Sequence, residues 1–481
     1  MTDRADYESK RWQALALLCI AQFMVVLDAS IVNIALPTIG EEVGISQENL
    51  SWVVNAYVLT FGGFLLLGGR MADLLGRKRI FLVGLIIFTS ASFVCGLANS
   101  AGVLIGARAV QGLGAAIISP AALSIVTTTF KEGAERNKAL GIWGALGGSG
   151  AAAGVLFGGI LVKYLGWEWI FWINIPVGIV VFFLALRFVP ESKADLGHHR
   201  FDAAGAITIT SSLAIFVYAI SKAPDDGWTS ARTILLLAVS VALFLVSLLI
   251  ESRSAAPLVP LSIFRIRSLL GANVVGLLLG AVIFANFFVL TLYVQQILGW
   301  SALQTGVAFL ATAGTVVIWA GVAQALATRY GPMPVIVIGM LILAASLLWY
   351  TQIPVDGHFW PDLLPAYLTF AVGLAFGFVP VTIAALAQIA PQEAGLASGL
   401  INTSQQIGGA IGVALASTVF TSHAKSLLKT GHTVPEAFTS GYQLAFWVLV
   451  GISLAGAALG FVLLRGTEAP VAEGETAPVT T

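Results

Sequence analysis

Two residues of opposite charge, Asp28 and Arg108, lie inside long apolar runs of this 481-residue chain. Asp28 stands in the stretch VVLDASIVNIALP, nine residues before Pro37, and Arg108 lies eight residues after Ser100. At 1.5 Å per helical residue, both would sit roughly 12–14 Å below the same membrane surface. An ionisable group in a span costs on the order of a few kcal/mol, so it normally faces a partner or a cavity. We expect the pair to face one central cavity; the alternative is a static ion pair that joins two helices.

A carboxylate and a guanidinium at one depth can exchange protons with their surroundings. Burial favours the neutral carboxylic acid, whereas a neighbouring cation favours the carboxylate. We therefore predict that Asp28 is the proton acceptor and that Arg108 tunes it and competes with cationic substrates. The sequence contains no nucleotide-binding loop, metal-ligand cluster or nucleophilic triad, so it predicts neither an enzyme nor a bound cofactor or metal.

The composition predicts the environment of these two residues. Hydrophobic residues make up 58% of the chain and charged residues only 10%, whereas soluble globular proteins are roughly a quarter charged. The chain is therefore predicted to be an integral membrane protein. Its formal net charge is zero, which does not favour a nucleic-acid partner.

Fourteen apolar runs approach the length of about 20 residues that a bilayer-crossing helix needs. They begin near Trp12, Leu50, Arg79, Val103, Lys138, Trp169, Ala203, Thr233, Leu269, Ala302, Met333, Leu363, Ala397 and Tyr442. The segments on one side of these spans carry 18 Lys and Arg residues, and those on the other side carry 5. Because basic residues are enriched on the cytoplasmic side, we expect a multi-pass plasma-membrane protein with both termini in the cytoplasm.

A weak internal repeat indicates how the spans are grouped. GLGAAIISPAALSIV, from Gly112, is echoed by GLAFGFVPVTIAALA, from Gly373, and secondary transporters are often built from such repeats. We predict an all-α fold of 14 transmembrane helices: two six-helix bundles related by pseudo-symmetry, with two extra helices inserted between them. The predicted segments are a cytoplasmic N-terminus (1–11), the N-terminal bundle (12–190), the inserted helices (203–250), the C-terminal bundle (265–465) and a disordered cytoplasmic tail (466–481).

Four motifs in order resemble those of one transporter family. They are LDASIVNIALP in the first span, GRMADLLGRKRIF after the second, LIGARAVQGLGAA in the fourth and GWEWIFWINIPVG at the start of the sixth. Together they are similar to the 14-helix drug/proton antiporter branch of the major facilitator superfamily, over nearly the whole chain. The resemblance implies a multidrug or antibiotic exporter that works by alternating access.

The resemblance also implies a gate in the cytoplasmic loop after the second span. Gly69, Asp73, Gly76 and Arg77 would latch the two bundles, with Asp73 near the start of the thirteenth span. A carboxylate beside a helix N-terminus is favoured by the macrodipole. The second copy of this motif has Thr328 in the place of Asp73.

Small residues recur along the fifth span. Gly150, Gly154 and Gly158 lie four residues apart, which lets helices approach closely. This row predicts either a sliding hinge between the bundles or simple tight packing. Two positions depart from the family pattern: Val155 stands in a proline position, and Glu168, expected at the outer interface, stands where many relatives carry arginine.

Uncharged hydrogen-bonding side chains in the spans either line the substrate cavity or join helices. The candidates are Asn33, Asn55, Gln111, Asn402, Gln405 and Gln406. No Asp or Glu lies between Ser268 and Ile353, so monocationic, zwitterionic or neutral substrates are favoured over dications.

The predicted function is proton-coupled efflux of small amphipathic organic compounds, such as drugs, antibiotics and dyes, by a protein expected to be a monomer. The alternatives are a proton-coupled uptake symporter for a nutrient, which can use the same Asp–Arg pair, and an exporter of lipids or secondary metabolites. A membrane-embedded enzyme would need paired acids or a nucleophile with a base, which the spans lack. A membrane sensor would not couple proton and solute movement.

Overall fold

Every regular element of the computed structural model is a helix within the described residues, which are 2–45, 52–193, 203–254, 257 and 259–466. The long helices are α1 (Thr2–Val43), α2 (Trp52–Leu75), α3 (Arg77–Gly96), α4 (Ala101–Thr129), α5 (Ala134–Tyr164), α6 (Trp169–Trp172 with Asn174–Phe188), α7 (Ala203–Asp226), α8 (Ala231–Arg253), α9 (Arg267–Leu292), α10 (Ala302–Tyr330), α11 (Pro332–Tyr350), α12 (Leu364–Leu386), α13 (Ala394–Lys429) and α14 (Val434–Leu463).

Thirteen helices in the described ranges are long and apolar enough to cross a membrane. The all-helical membrane class predicted from composition is therefore confirmed. Helix α5 is 31 residues long but is not one of the thirteen, so its crossing stays a prediction. Residues 467–481 of the predicted tail lie outside the described residues.

Two helices begin earlier than hydropathy predicts. The predicted N-terminal segment 1–11 is already helical from Thr2 and runs directly into the first apolar stretch. Helix α14 begins at Val434, not near Tyr442, because Thr433 and Glu436 form a capping box, in which the Thr433 backbone N–H donates to the Glu436 carboxylate at 3.0 Å. Hydropathy locates the apolar part of a helix, whereas capping groups fix where its polar first turns begin.

In the order of the chain, helices α1–α6 are called the first set and α9–α14 the second, and the largest contacts between the sets form two seams. In the first set α4 lies against α2 and α3, and α1 packs on α5; in the second α9 packs on α13, and α11 on α12 and α14. The seams between the sets are α5 against α10 and α2 against α13. Helices α7 and α8 pack on each other, and α7 also contacts α2 and α13, so the inserted pair borders the second seam.

Candidate functional site

Asp28 and Arg108 form an ion pair inside the first set of helices. Arg108 Nη1 donates to Asp28 Oδ2 at 2.6 Å, which joins α1 to α4. Both side chains are 0% exposed. The sequence predicted only that the two residues lie at the same depth. The structure shows in addition that their side chains are in direct contact.

Two amides also donate to the Asp28 carboxylate. The side-chain N–H groups of Gln111 and Asn174 each reach Oδ1 at 2.8 Å. Both amides also donate to the Ser92 hydroxyl, at 2.5 Å and 3.2 Å. An ionised carboxylate only accepts hydrogen bonds. The two oxygens of Asp28 thus accept three N–H donors, from Arg108, Gln111 and Asn174.

Arg108 is fixed by several groups besides Asp28. Its Nε donates to the carbonyl of Val53 at 3.0 Å, and its Nη1 donates to Gln111 Oε1 at 2.6 Å. The guanidinium carbon lies 4.3 Å from the centre of the Tyr57 ring, a distance at which a cation is attracted to the π face. Gly112 allows this approach of α4 to α2, because a Cβ there would collide with the Tyr57 carbonyl.

The expectation that the pair faces a central cavity is wrong for this conformation. The polar partners of Asp28 and Arg108 come from α2, α4 and α6, Ser92 of α3 accepts from the two amides, and neither charged side chain is exposed. A buried carboxylate needs donors on all sides, and the first set of helices supplies them. The sequence prediction missed Ser92 and Asn174; the signal for Asn174 was a polar residue in the apolar stretch FWINIPVG.

The other polar candidates lie in different environments. Gln111 belongs to the buried network just described. Asn33 is exposed, and its amide donates to the carbonyls of its own helix turn. Asn55 is half-buried on α2. The structure therefore does not gather these three residues into one cavity wall.

The three candidates on α13 also separate. Gln405 is buried, and its backbone lies so close to Gly280 of α9 that a Cβ there would collide with it. Asn402 donates to the carbonyl of Ser398 at 2.8 Å, and Gln406 is half-buried. Gln405 therefore packs against α9, while the other two are partly accessible.

A charged contact closes one end of the α2–α13 seam. The Asp73 carboxylate accepts the backbone N–H groups of Gly395 and Leu396, each at 3.0 Å. The first N–H groups of a helix have no intrahelical partner, so Asp73 caps α13. Gly69 and Gly395 make this possible, since a Cβ on either would collide with the carbonyl of the other.

Arg77 connects this cap to two further elements. Its Nη2 contacts Asp73 Oδ1 at 2.7 Å and also donates to the carbonyl of Pro391, in the turn before α13. Its Nε donates to the Ser124 hydroxyl of α4 at 2.7 Å. The same helix, α4, therefore contacts both the Asp73–Arg77 pair and the buried ion pair.

The chain turns sharply at Gly76, between α2 and α3, with φ of 107°, which glycine adopts without strain. The Glu191 carboxylate accepts the N–H groups of Lys78 and Arg79, each at 3.1 Å. It caps α3 from the chain that follows α6, within the first set of helices.

An amide–hydroxyl contact and a carboxylate contact join the two sets at the other seam, and the sequence prediction missed both. Asn137 of α5 donates to the Thr328 hydroxyl of α10 at 3.0 Å. Nearby, the Gln388 N–H donates to the Glu132 carboxylate at 3.1 Å. Thr328 is the residue that replaces the acid in the second copy of the motif, so only the α2–α13 seam has a carboxylate on a helix N-terminus among the described residues.

The glycine row on α5 does not face the seam between the sets. Cβ atoms added at Gly150, Gly154 and Gly158 would meet residues of α1 within the first set. The predicted hinge between the bundles is therefore wrong for this row. Gly141 and Gly159, on another face of α5, lie against Gln324 and Leu303 of α10. Which neighbouring helix a glycine row faces depends on the rotation of α5 about its own axis.

Glu168 and Val155 are the two positions that depart from the family pattern. Glu168 is half-exposed, and its backbone carbonyl accepts the N–H groups of Phe171 and Trp172 at 3.0 and 3.1 Å. The side chain of Val155 lies outside the described part. Across that part, no three His, Cys, Asp or Glu residues are grouped so that they could hold a metal ion.

The sequence matches the profile of the Major Facilitator Superfamily over residues 18–413. A puromycin resistance protein of Streptomyces alboniger is 38% identical over 480 residues, covering 98% of this chain and 95% of that protein. A cephamycin export protein of Amycolatopsis lactamdurans is 37% identical over 421 residues, covering 87% of each chain.

The fold itself is shared with a solved structure of low sequence similarity. The human organic anion transporter MFSD10 superposes with a TM-score of 0.66 at 15% identity, covering 94% of this chain and 99% of that one. The family match extends over most of the chain and agrees with the four motifs found in the sequence. The chain belongs to the major facilitator superfamily, and its relatives include antibiotic resistance and export proteins.

Proposed function

We propose that this protein is a proton-driven exporter of small amphipathic organic compounds, antibiotics among them, which works by alternating access. The names of its relatives support export. The observation that carries the proton-coupling part is the carboxyl group of Asp28, which is fully buried and accepts a hydrogen bond from the Arg108 guanidinium. An ionisable side chain buried within a membrane span normally has a functional role.

The proposed membrane arrangement has fourteen spans, with α5 as one of them, in two six-helix bundles and an inserted pair, α7 and α8. Both termini lie in the cytoplasm of a plasma-membrane protein that acts as a monomer. The Asp73 contact then lies at the cytoplasmic end, so this conformation is closed toward the cytoplasm.

Protonation of Asp28 is the proposed trigger of the conformational change. A neutral carboxylic acid loses the ion pair with Arg108 and offers an O–H where only an acceptor was needed. Arg108 and Gln111 of α4 and Asn174 of α6 then lack a charged hydrogen-bond acceptor. This loss weakens the contact of α1 with both helices. Because α4 also carries Ser124, which binds Arg77 of the gate, movement of α4 can reach the cytoplasmic seal.

Substrate and proton occupy the transporter in turn. A proton on Asp28 accompanies release of the substrate to the outside, and deprotonation toward the cytoplasm readmits a substrate. Arg108 competes with cationic compounds for the carboxylate. Asn402 and Gln406, which are partly accessible on α13, are proposed to contact the substrate.

The test is Asp28→Asn in proteoliposomes with an imposed proton gradient. We expect the variant to bind a fluorescent drug and to lose gradient-driven accumulation. The half-exposed Glu168 gives a matched control, because Glu168→Gln removes a carboxylate outside the buried network and should retain coupling. Accumulation against a concentration gradient by Asp28→Asn would refute the assignment. In cells, raised rather than lowered drug accumulation on expression would favour an uptake symporter.

A further inference from the structure

The turn between the inserted helices α7 and α8 is held in one shape by its own residues. Gly227 follows α7 with a φ of 93°, which glycine adopts without strain, and its N–H donates to the Ala223 carbonyl at 2.9 Å. The Ser230 hydroxyl accepts the Thr233 N–H at 3.2 Å and caps α8. Trp228 therefore lies in a turn that is fixed on both sides.

Trp228 connects this turn to the second set of helices. Its indole N–H donates to Thr418 Oγ1 of α13 at 2.7 Å. The Thr418 hydroxyl donates in turn to the Ala414 carbonyl of its own helix, also at 2.7 Å, so its lone pairs remain available to the indole. Thr418 follows Gly395, which binds Asp73, at a distance of roughly 35 Å along the helix. The two contacts therefore hold widely separated parts of α13.

The inserted pair is also attached to α2 of the first set, along most of that helix. Trp52 stacks on Tyr218 of α7 with ring centres 5.7 Å apart, and a Cβ added at Gly63 would come within 3.1 Å of an α7 side chain. Near the other end of α2, Arg70 Nη2 donates at 3.1 Å to the carbonyl of Pro257, in the chain that follows α8. These contacts extend over roughly 27 Å of α2.

The attachment to α2 is stronger than the hydrogen bond to α13. A hydrogen bond from a guanidinium is roughly twice as strong as one between neutral groups, and the stacked rings add to it. Helix α7 contacts both α2 and α13, so it cannot keep all of its contacts when these two helices move relative to each other. The weaker bond, at Thr418, is the one that breaks.

We propose that α7 and α8 move as one body with α2, and that the Trp228–Thr418 hydrogen bond is a latch that is closed in this conformation and released when the α2–α13 seam rearranges. The latch stabilises the conformation in which Asp73 binds α13, from the far part of the same helix. The proposal rests on the alternating access of the proposed function and not on proton coupling.

The first test measures how fast a water-soluble maleimide labels Ser398→Cys in the purified full-length protein, in detergent and without a proton gradient. Ser398 is fully buried one turn into α13, so labelling reports opening at the Asp73 contact. Thr418→Val removes the hydroxyl that binds Trp228 and should raise the labelling rate about fivefold, which corresponds to the loss of a hydrogen bond of about 1 kcal/mol. Thr418→Ser keeps the hydroxyl and should restore the parent rate.

Thr315→Val of α10 is the matched control. The Thr315 hydroxyl also donates to a carbonyl of its own helix, at 2.8 Å, but within the described residues no indole donates to it. The labelling rate of this variant should equal that of the parent. An unchanged rate in Thr418→Val, or an equal rise in Thr315→Val, would overturn the latch.

The second test measures distances between spin labels by double electron–electron resonance, in the parent and in Asp73→Asn. Labels at Thr229→Cys in the turn, Ser100→Cys in the first set and Ser426→Cys on α13 replace exposed residues. The distance from Thr229 to Ser100 should stay constant, and the distance from Thr229 to Ser426 should shift. A constant distance from Thr229 to Ser426 would overturn the proposal. Neither test involves transport, so both outcomes are independent of whether Asp28 couples protons.

Discussion

In the proposed orientation and cycle, removal of the Asp73 charge should open the cytoplasmic end of the protein. In Asp73→Asn, the N–H groups of Gly395 and Leu396 lose a charged acceptor. A hydrogen bond to a charged group contributes about 1.5–3 kcal/mol and a neutral one about 0.5–1.5 kcal/mol. The asparagine oxygen can replace one of the two bonds in neutral form. The closed state is therefore destabilised by about 1.5–5.5 kcal/mol, and about 2 kcal/mol, near the lower end of that range, corresponds to roughly a 30-fold shift toward the open state.

The assay uses a cysteine placed behind the seal. Ser398 lies one turn into α13 and is fully buried, so Ser398→Cys reports opening through its rate of reaction with a water-soluble maleimide. The two native thiols, Cys19 and Cys95, are buried and give little background. We expect Asp73→Asn to raise the labelling rate about 30-fold or more, in proportion to the open population.

Glu191→Gln provides the matched control at the same end of the molecule. Its carboxylate also caps a helix, but it binds α3 within the first set of helices and does not cross a seam. Labelling in this variant should stay at the level of the parent protein. An unchanged rate in Asp73→Asn, or an equal rise in Glu191→Gln, would refute the gating role of Asp73.

Two further substitutions test the seams and the glycine row. Thr328→Asp places a carboxylate opposite Asn137 and gives the α5–α10 seam a charge-assisted hydrogen bond. We expect slower maleimide labelling of Ser398→Cys and slower transport. Faster labelling would contradict this prediction. Gly154→Val forces atoms into the Ser30 side chain and the α1 backbone and should cost about 1–3 kcal/mol, seen as a lower thermal unfolding temperature in detergent. Gly102→Ala, where no atom lies within 4 Å of the added Cβ, should leave that temperature unchanged.

The two seams differ in the chemistry that closes them. One is held by the carboxylate of Asp73 on a helix N-terminus, and the other by the amide of Asn137 on a hydroxyl. A charged hydrogen bond is roughly twice as strong as a neutral one. In the proposed cycle, the α2–α13 seam, where the Asp73 carboxylate accepts two N–H groups, therefore contributes more to the stability of the closed state than the α5–α10 seam, near which Glu132 accepts one.

The sequence by itself determined the class of protein, the place of most spans along the chain and the family. These features depend on local composition, on runs of apolar residues and on short motifs, all of which can be read without knowing how helices meet. The depths of Asp28 and Arg108 also followed from the sequence, because the rise per residue of a helix is constant. The same local patterns missed the first turns of α14, which depend on the capping pair Thr433 and Glu436.

Only the tertiary structure decided which way each side chain faces. Asp28 and Arg108 point at each other, Asp28 also accepts hydrogen bonds from Gln111 and Asn174, and neither charged side chain is exposed. The row from Gly150 to Gly158 faces α1. Rotation of a helix about its axis leaves its hydropathy and its depth nearly unchanged, so these quantities carry no information on that rotation. The rotation is fixed when the helices pack. A buried charge is stable only where hydrogen-bond donors surround it, and a glycine row is placed where the backbone of a neighbouring helix approaches closely.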